Sequence, residues 1–326
     1  MKRLICISLC AFIAVLSFCG CSDGEKNTDK KLSVVTTIFP VYDWVRNIAA
    51  DGNIDISMLQ DEGVDFHSYQ PTADDMIKIS SCDLFVYVGG ESDKWVDDAL
   101  KNASNPSMKV LKLFDALGDN KLKTEKFVEG MEAEDEGDLD SDEAENEAAY
   151  DEHIWLSVKI AEDACKKINE ALSTLDESNK TVYTESCEEY IAKLAGLDEK
   201  YKNTIGKAKN NTLLFGDRFP FRYLADDYNL NYYAAFAGCS SETDASFETV
   251  AFLADKLDEL KLNAVLTIEG SDQKLAKTII EASNTKNAEI ISVNSMQSVT
   301  KSELDNGYNY ISVMENNLGA FENALS

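Results

Sequence analysis

Twice along this chain, short β-branched or apolar runs alternate with stretches of helical apolar spacing. No other feature limits the fold as much. The first set holds the strand-like runs LSVVTTI, NIDISMLQ, DLFVYVGG and MKVLKLF. Between them lie FPVYDWVRNIAAD, with Val41, Trp44, Val45 and Ile48 at helical spacing, then PTADDMIKISSC and SDKWVDDALKNA. Thr72 is the expected N-cap of the second, ahead of acids in its first turn. The second set starts near Asn211, with strands NTLLFGD, YYAAFAG, NAVLTIEG and AEIISVNSM and helices FRYLADDYN, SFETVAFLADKLDELK, SDQKLAKTIIEASN and YNYISVMENNLGAFENALS. Strand–helix alternation predicts mostly parallel sheets covered on both faces, hence an α/β fold of two βα lobes.

Between the sets, residues 154–210 contain no proline and no strand-like run. The spacing predicts one helix of roughly 30 residues at the end of this span, about 45 Å long at 1.5 Å per residue. A chain of 326 residues suits two domains of ordinary size. The expected layout is an N-terminal lobe over 32–176, a rigid linking helix over 177–210 and a C-terminal lobe over 211–326, with ligands bound in the cleft between the lobes.

The N-terminus reads as targeting, not fold. Lys2 and Arg3 precede the apolar run LICISLCAFIAVLSF, which is short for a membrane span. Residues 1–20 are therefore expected to be a signal peptide. The run ends in SFCGC, which resembles the lipobox of bacterial lipoproteins, with Gly20 before the acceptor Cys21 and Phe18 where leucine is usual. Cys19 is the alternative acceptor, and a plain secretory signal is the alternative reading. Two acyl chains on Cys21 would anchor the protein stably to the membrane, extracytoplasmically, with residues 21–31 as a polar tether.

Of eight cysteines, Cys6, Cys10 and Cys19 would leave with the signal and Cys21 would carry lipid. Cys82, Cys165, Cys187 and Cys239 remain, without a C-x-x-C pair or zinc-finger spacing. Export permits a Cys165–Cys187 disulfide. The net charge of −28 disfavours nucleic acid and anionic lipid as partners, and suits the attraction of cations. Acids crowd Glu129–Glu152, read here as a solvated loop.

The chain has two histidines, His67 and His153. His67 follows the strand 54–59, Asp217 follows TLLF, Glu269 follows AVLTI, and His153 precedes a helix. Ligands of open α/β sheets bind beyond the carboxyl ends of strands, so these four side chains can meet in one cleft between the lobes. Two imidazoles with one or two carboxylates suit Zn²⁺ or Mn²⁺. Asp65 and Asp151 are candidates to orient the imidazoles. The competing readings are a packed or surface histidine, an Asp217–Arg218 ion pair, and Glu269 as a helix N-terminal acid.

The segment GVDFHSYQPTADDMIKISSCDLFVYVGG resembles the first metal motif of the zinc/manganese solute-binding lipoproteins of ABC importers, the cluster A-I type. Phe66 stands where that family has proline, and His67 falls on its first ligand. DEHIWLSVKIA resembles the Asp-x-His-x-Trp-Leu segment carrying the second, here His153. AFAGCSSETDASFETVAFLADKL, VLTIEG and GYNYISVMENNLGAFENAL follow the family's C-terminal course, so the resemblance spans the mature chain. It places Arg218 on the third ligand position, usually histidine; arginine cannot ligate a cation, and Asp217 would serve if the loop shifted by one residue. It matches Glu269 to an acidic fourth ligand, while the later acid of manganese-type members is replaced by VNSM. The resemblance implies a monomer that is no enzyme, captures Zn²⁺ (with Mn²⁺ as the alternative) and delivers it to an ABC permease. The acidic block sits where zinc-type members of the family have a His- and acid-rich loop, so the resemblance favours zinc. A zinc hydrolase is a rival, although no H-E-x-x-H motif is present; a surface adhesin is another.

Overall fold

In the computed structural model, residues 31–50, 54–132, 150–240 and 244–326 are described. The signal peptide, Cys21 and most of the tether lie outside them, as does 133–149 of the acidic block.

The first lobe runs β1 (Leu32–Thr36), α1 (Phe39–Ala49), β2 (Ile54–Met58), α2 (Ala73–Ser81), β3 (Leu84–Tyr87), α3 (Val96–Leu100), β4 (Lys109–Lys112) and α4 (Leu113–Leu117). Two long helices follow, α5 (Val158–Leu175) and α6 (Lys180–Ile205). The second lobe runs β5 (Thr212–Phe219), α7 (Arg222–Asp227), β6 (Asn231–Ala237), α8 (Phe247–Glu259), β7 (Ala264–Ile268), α9 (Lys274–Ala282), β8 (Glu289–Val293), α10 (Lys301–Asp305) and α11 (Tyr310–Ala324). The strand orders are β2-β1-β3-β4 and β6-β5-β7-β8, and all pairings are parallel. The expected α/β architecture is present.

Burial explains which runs became which strands. β3 and β7 are central, and every residue in them is buried, as continuous apolar runs require when helices cover both faces. Edge strands β2, β4 and β8 keep polar, more exposed residues. Thr72 caps α2 as expected: its hydroxyl accepts from the Asp75 amide, and Asp75 reaches back to the Thr72 amide, a closed capping box.

α6 has 26 residues, about 39 Å, a turn shorter than the sequence suggests. It is fixed at its middle and towards its C-terminal end. Tyr190 donates to Asp43 of α1, and Tyr201 donates to the Met314 carbonyl of α11. Asp43 also accepts from the Tyr310 amide, which joins the start of the last helix to the first lobe. One hydrophobic cluster contains Val34 and Trp44 together with Phe215, Leu266 and Phe321, so the apolar core continues from one sheet to the other. Leu32–Ser326 forms a single compact body.

One open reading is answered and one expectation changes. Cys165 and Cys187 are buried free thiols, with Cys187 Sγ against the Cys165 carbonyl rather than its sulfur. The ends of the acidic block are docked on the fold rather than free, with Glu129 exposed and Asp151 and Glu152 buried. The Glu132 amide donates to Ala235 at the end of β6, the Gly130 carbonyl accepts from Thr249 of α8, and Asp151 and Glu152 are each 1% exposed.

Candidate metal centre

His67 lies in a single 3-10 turn, Phe66–Ser68, just beyond β2. Asp65 caps that turn by accepting from the His67 amide at 3.0 Å. The loop is held by the second lobe's backbone: the Gly63 amide donates to Val299, and the Phe66 amide to Gln297, each at 3.1 Å. His153 precedes another 3-10 turn, Ile154–Leu156. Trp155 in that turn donates to the Ser295 carbonyl at 2.8 Å, and its carbonyl accepts from Tyr310 at 2.7 Å. Tyr223 of α7 donates to the Asp151 carbonyl at 2.9 Å. Both histidine loops therefore sit where the lobes meet, and second-lobe groups hold each one.

The rings meet edge to edge, with His67 Nε2 and His153 Nε2 3.2 Å apart. In the neutral rings, the far nitrogens favour one tautomer each. His153 Nδ1 is 2.8 Å from Asp151 Oδ1, and a carboxylate only accepts, so this nitrogen carries the hydrogen. His67 Nδ1 is 2.9 Å from Ser92 Oγ and 3.4 Å from Glu152 Oε2. The Ser92 hydroxyl is already donating to Glu152 at 2.5 Å, so its oxygen accepts from His67 Nδ1–H. Both Nε2 atoms then present lone pairs to one point. Two lone pairs so close repel each other unless a cation lies between them. In a tetrahedral zinc site with bonds of about 2.05 Å, two nitrogens stand about 3.3 Å apart. The residues present fit that ion.

The surrounding charge is negative. Burial opposes a charge on fully buried His153, but Asp151 beside it, then Glu152 and Glu125, hold its pKa above the ordinary value. Burial also opposes ionisation of Glu152, yet bonds from His67 and from the Ser92 hydroxyl and amide hold it below the usual carboxylate value. Gly90 makes room for this: a Cβ there would overlap Glu152 Oε1.

A third ligand-bearing side chain is present. Cys239 Sγ and a ring nitrogen of each histidine all lie within 4.8 Å of one another. Burial, and then the charges of Glu125, Asp151 and Glu152, push the Cys239 thiol well above its ordinary pKa.

Asp217 and Glu269 stand outside this trio. Asp217 accepts from its neighbour's amide at 2.9 Å and from Ile268 N at 3.3 Å, bracing β5 to β7. Glu269 accepts from the Ser295 amide and hydroxyl at 2.7 and 2.6 Å and from the Gln297 amide at 3.1 Å. It thereby shapes the loop that holds Phe66 and Trp155. Arg218 pairs not with Asp217 but with Asp65, at 2.7 Å. Of the two acids expected to orient the imidazoles, Asp151 does so; Asp65 does not, and Glu152 with Ser92 takes its place on His67. Glu152 was legible as the acid beside His153. Ser92 and Cys239 carried no motif.

The sequence profile of the family described as "Zinc-uptake complex component A periplasmic" matches residues 34–324. The chain is 32% identical over 324 residues to the zinc-binding lipoprotein AdcA of Streptococcus pneumoniae, covering 99% of this chain and 61% of that protein. It therefore spans less than two thirds of that relative's length. It is 31% identical over 320 residues to the high-affinity zinc uptake system protein ZnuA of Bacillus subtilis, covering 97% and 96% of the two chains. Among solved structures, it is similar to the Zn(II)-bound ZnuA-like domain of S. pneumoniae AdcA, with TM-score 0.69 and 28% identity over 91% of this chain and 99% of that one. It is also similar to the metal-dependent lipoprotein YcdH of B. subtilis, with TM-score 0.71 and 29% identity over 90% and 99%.

Proposed function

The chain belongs to the zinc-uptake complex component A family, and from that premise we propose that it captures Zn²⁺ outside the cytoplasm and passes it to an ABC permease. The observation that carries this reading is the His67–His153 pair, whose two lone-pair nitrogens are 3.2 Å apart and fixed by acids behind them. Zn²⁺ is the cargo here and is not consumed by chemistry, so the protein is a carrier and not a catalyst. Cys21 is the proposed lipid attachment point.

Capture follows from the local physics. An arriving cation relieves the repulsion between the two Nε2 atoms and is drawn by Asp151, Glu152 and Glu125. The His loops need little rearrangement, because second-lobe hydrogen bonds already hold them. Glu269, the acid that the family resemblance implies as a ligand, would enter the shell only by exchanging its bonds to Ser295 and Gln297. Manganese is the lesser reading, since imidazole suits zinc better than a hard oxygen-seeking ion.

The test is elemental analysis of the full chain purified without added metal, followed by competitive titration with Zn²⁺ and Mn²⁺. One zinc per chain is expected, with His67→Ala and His153→Ala each weakening it at least about tenfold. If both variants bind zinc like the parent, the site is elsewhere.

A further inference from the structure

We propose that Cys239 supplies the third metal ligand, so that this chain holds its ion with two imidazoles and a thiolate. The inference rests on the zinc-capture reading above and adds to it the source of the third bond and of the preference for zinc.

The third position implied by the family resemblance holds Arg218, and the structure shows that side chain committed elsewhere. One end of the guanidinium bonds Asp65 Oδ2 at 2.7 Å, and the other donates to the Ser240 carbonyl at 3.4 Å. Arg218 thus grips the cap of the His67 turn and the residue next to Cys239. β5 and β6 are parallel neighbours, with Phe219 opposite Ala237. A residue two places beyond Ala237 therefore emerges beside the end of β5, one strand over from the position Arg218 occupies. Cys239 is that residue, and its sulfur and one ring nitrogen of each histidine lie within 4.8 Å of one another.

Its backbone is held for the purpose. The Cys239 amide donates to Glu125 Oε1 at 2.9 Å. Gly238 before it lets the strand end close on His153: a Cβ there would lie 3.0 Å from His153 Cε1. The other described cysteines, Cys82, Cys165 and Cys187, are buried and belong to no such group.

The chemistry is that of a borderline-soft ion. Zinc bonds to sulfur at about 2.3 Å, which sets sulfur–nitrogen separations near 3.6 Å, inside the 4.8 Å limit of this group, so binding draws the sulfur inward. As the Zn–S bond forms, the thiol proton leaves to solvent. Thiolate favours zinc over manganese, which prefers oxygen ligands. A packing role for Cys239 would not require sulfur at the metal.

The probe is Co²⁺ bound to the metal-free full chain, read by its absorption spectrum. A sulfur-to-cobalt charge-transfer band is expected in the parent and absent in Cys239→Ser. Zinc affinity should fall at least about tenfold in Cys239→Ser, with the Zn²⁺/Mn²⁺ preference narrowed. If Cys239→Ser fails to fold, the parent band decides alone. A parent without the band, or a folded Cys239→Ser protein that keeps parental zinc affinity, overturns the proposal. Should His153→Ala still lose zinc in that case, the capture reading survives while the role of Cys239 falls. Should His153→Ala bind like the parent, both fall.

Discussion

Asp151 holds His153 twice: one carboxylate oxygen, Oδ1, accepts from the ring Nδ1 at 2.8 Å and from the backbone amide of the same histidine at 2.9 Å. The first bond selects the tautomer and the second sets the ring's origin. An asparagine can keep the shape of this contact but not its charge, which strengthens the imidazole as a donor to metal. Asp151→Asn is expected to weaken zinc binding about 10- to 100-fold, the usual cost of losing such a partner. The fold should survive, since Tyr223 still holds the Asp151 carbonyl. Competition titration with a chromophoric chelator, alongside circular dichroism, measures both.

Much of this arrangement could be read from the chain. The central strands were legible because burial on two faces forces continuous apolar runs such as Leu84–Tyr87 and Ala264–Ile268. Thr72 was legible because capping is local. His67 and His153 stood out by rarity and motif. What the sequence hid was long-range: Ser92 meets Glu152 across 60 residues, and Cys239 reaches the histidines through the pairing of β5 with β6. Asp217 and Glu269 were expected as ligands because acids at strand ends suit cations. The same acids also suit the unpaired amides of turning loops, and those are the groups they hold here.

Asp93 gives a pH signature. Burial lifts its carboxyl to about 7; bonds from the Gly89 and Val88 amides pull against this, and the charge of Glu152 adds to it. The unfolded chain, with an ordinary aspartate, binds fewer protons than the native state between about pH 4 and 7. The contribution of Asp93 to stability therefore declines as pH rises through that window and levels off above it. Asp93→Asn cannot ionise, so its advantage over the parent should grow by on the order of 2–3 kcal/mol from pH 5 to pH 8. Urea unfolding of the metal-free proteins at the two pH values tests this; parallel profiles would contradict it.

The acidic stretch 133–149 contains nine aspartates and glutamates. Residues up to Glu132 dock on the second lobe, and Tyr150 onward builds the site, so a deletion must spare both. Removing 133–149 should leave equilibrium zinc affinity nearly intact and slow zinc association, most at low ionic strength where charge acts furthest. Stopped-flow binding across a salt series reads this directly. An unchanged rate at low salt would mean that the stretch does not gather ions.

The central claim is that the Nε2 atoms of His67 and His153 close on one zinc ion. Zinc K-edge X-ray absorption of the full chain loaded with one equivalent measures that most directly. The account predicts imidazole multiple scattering from two rings, with nitrogen at about 2.0–2.1 Å, reduced to one ring in either histidine-to-alanine variant. A spectrum with oxygen neighbours and no imidazole scattering would contradict it.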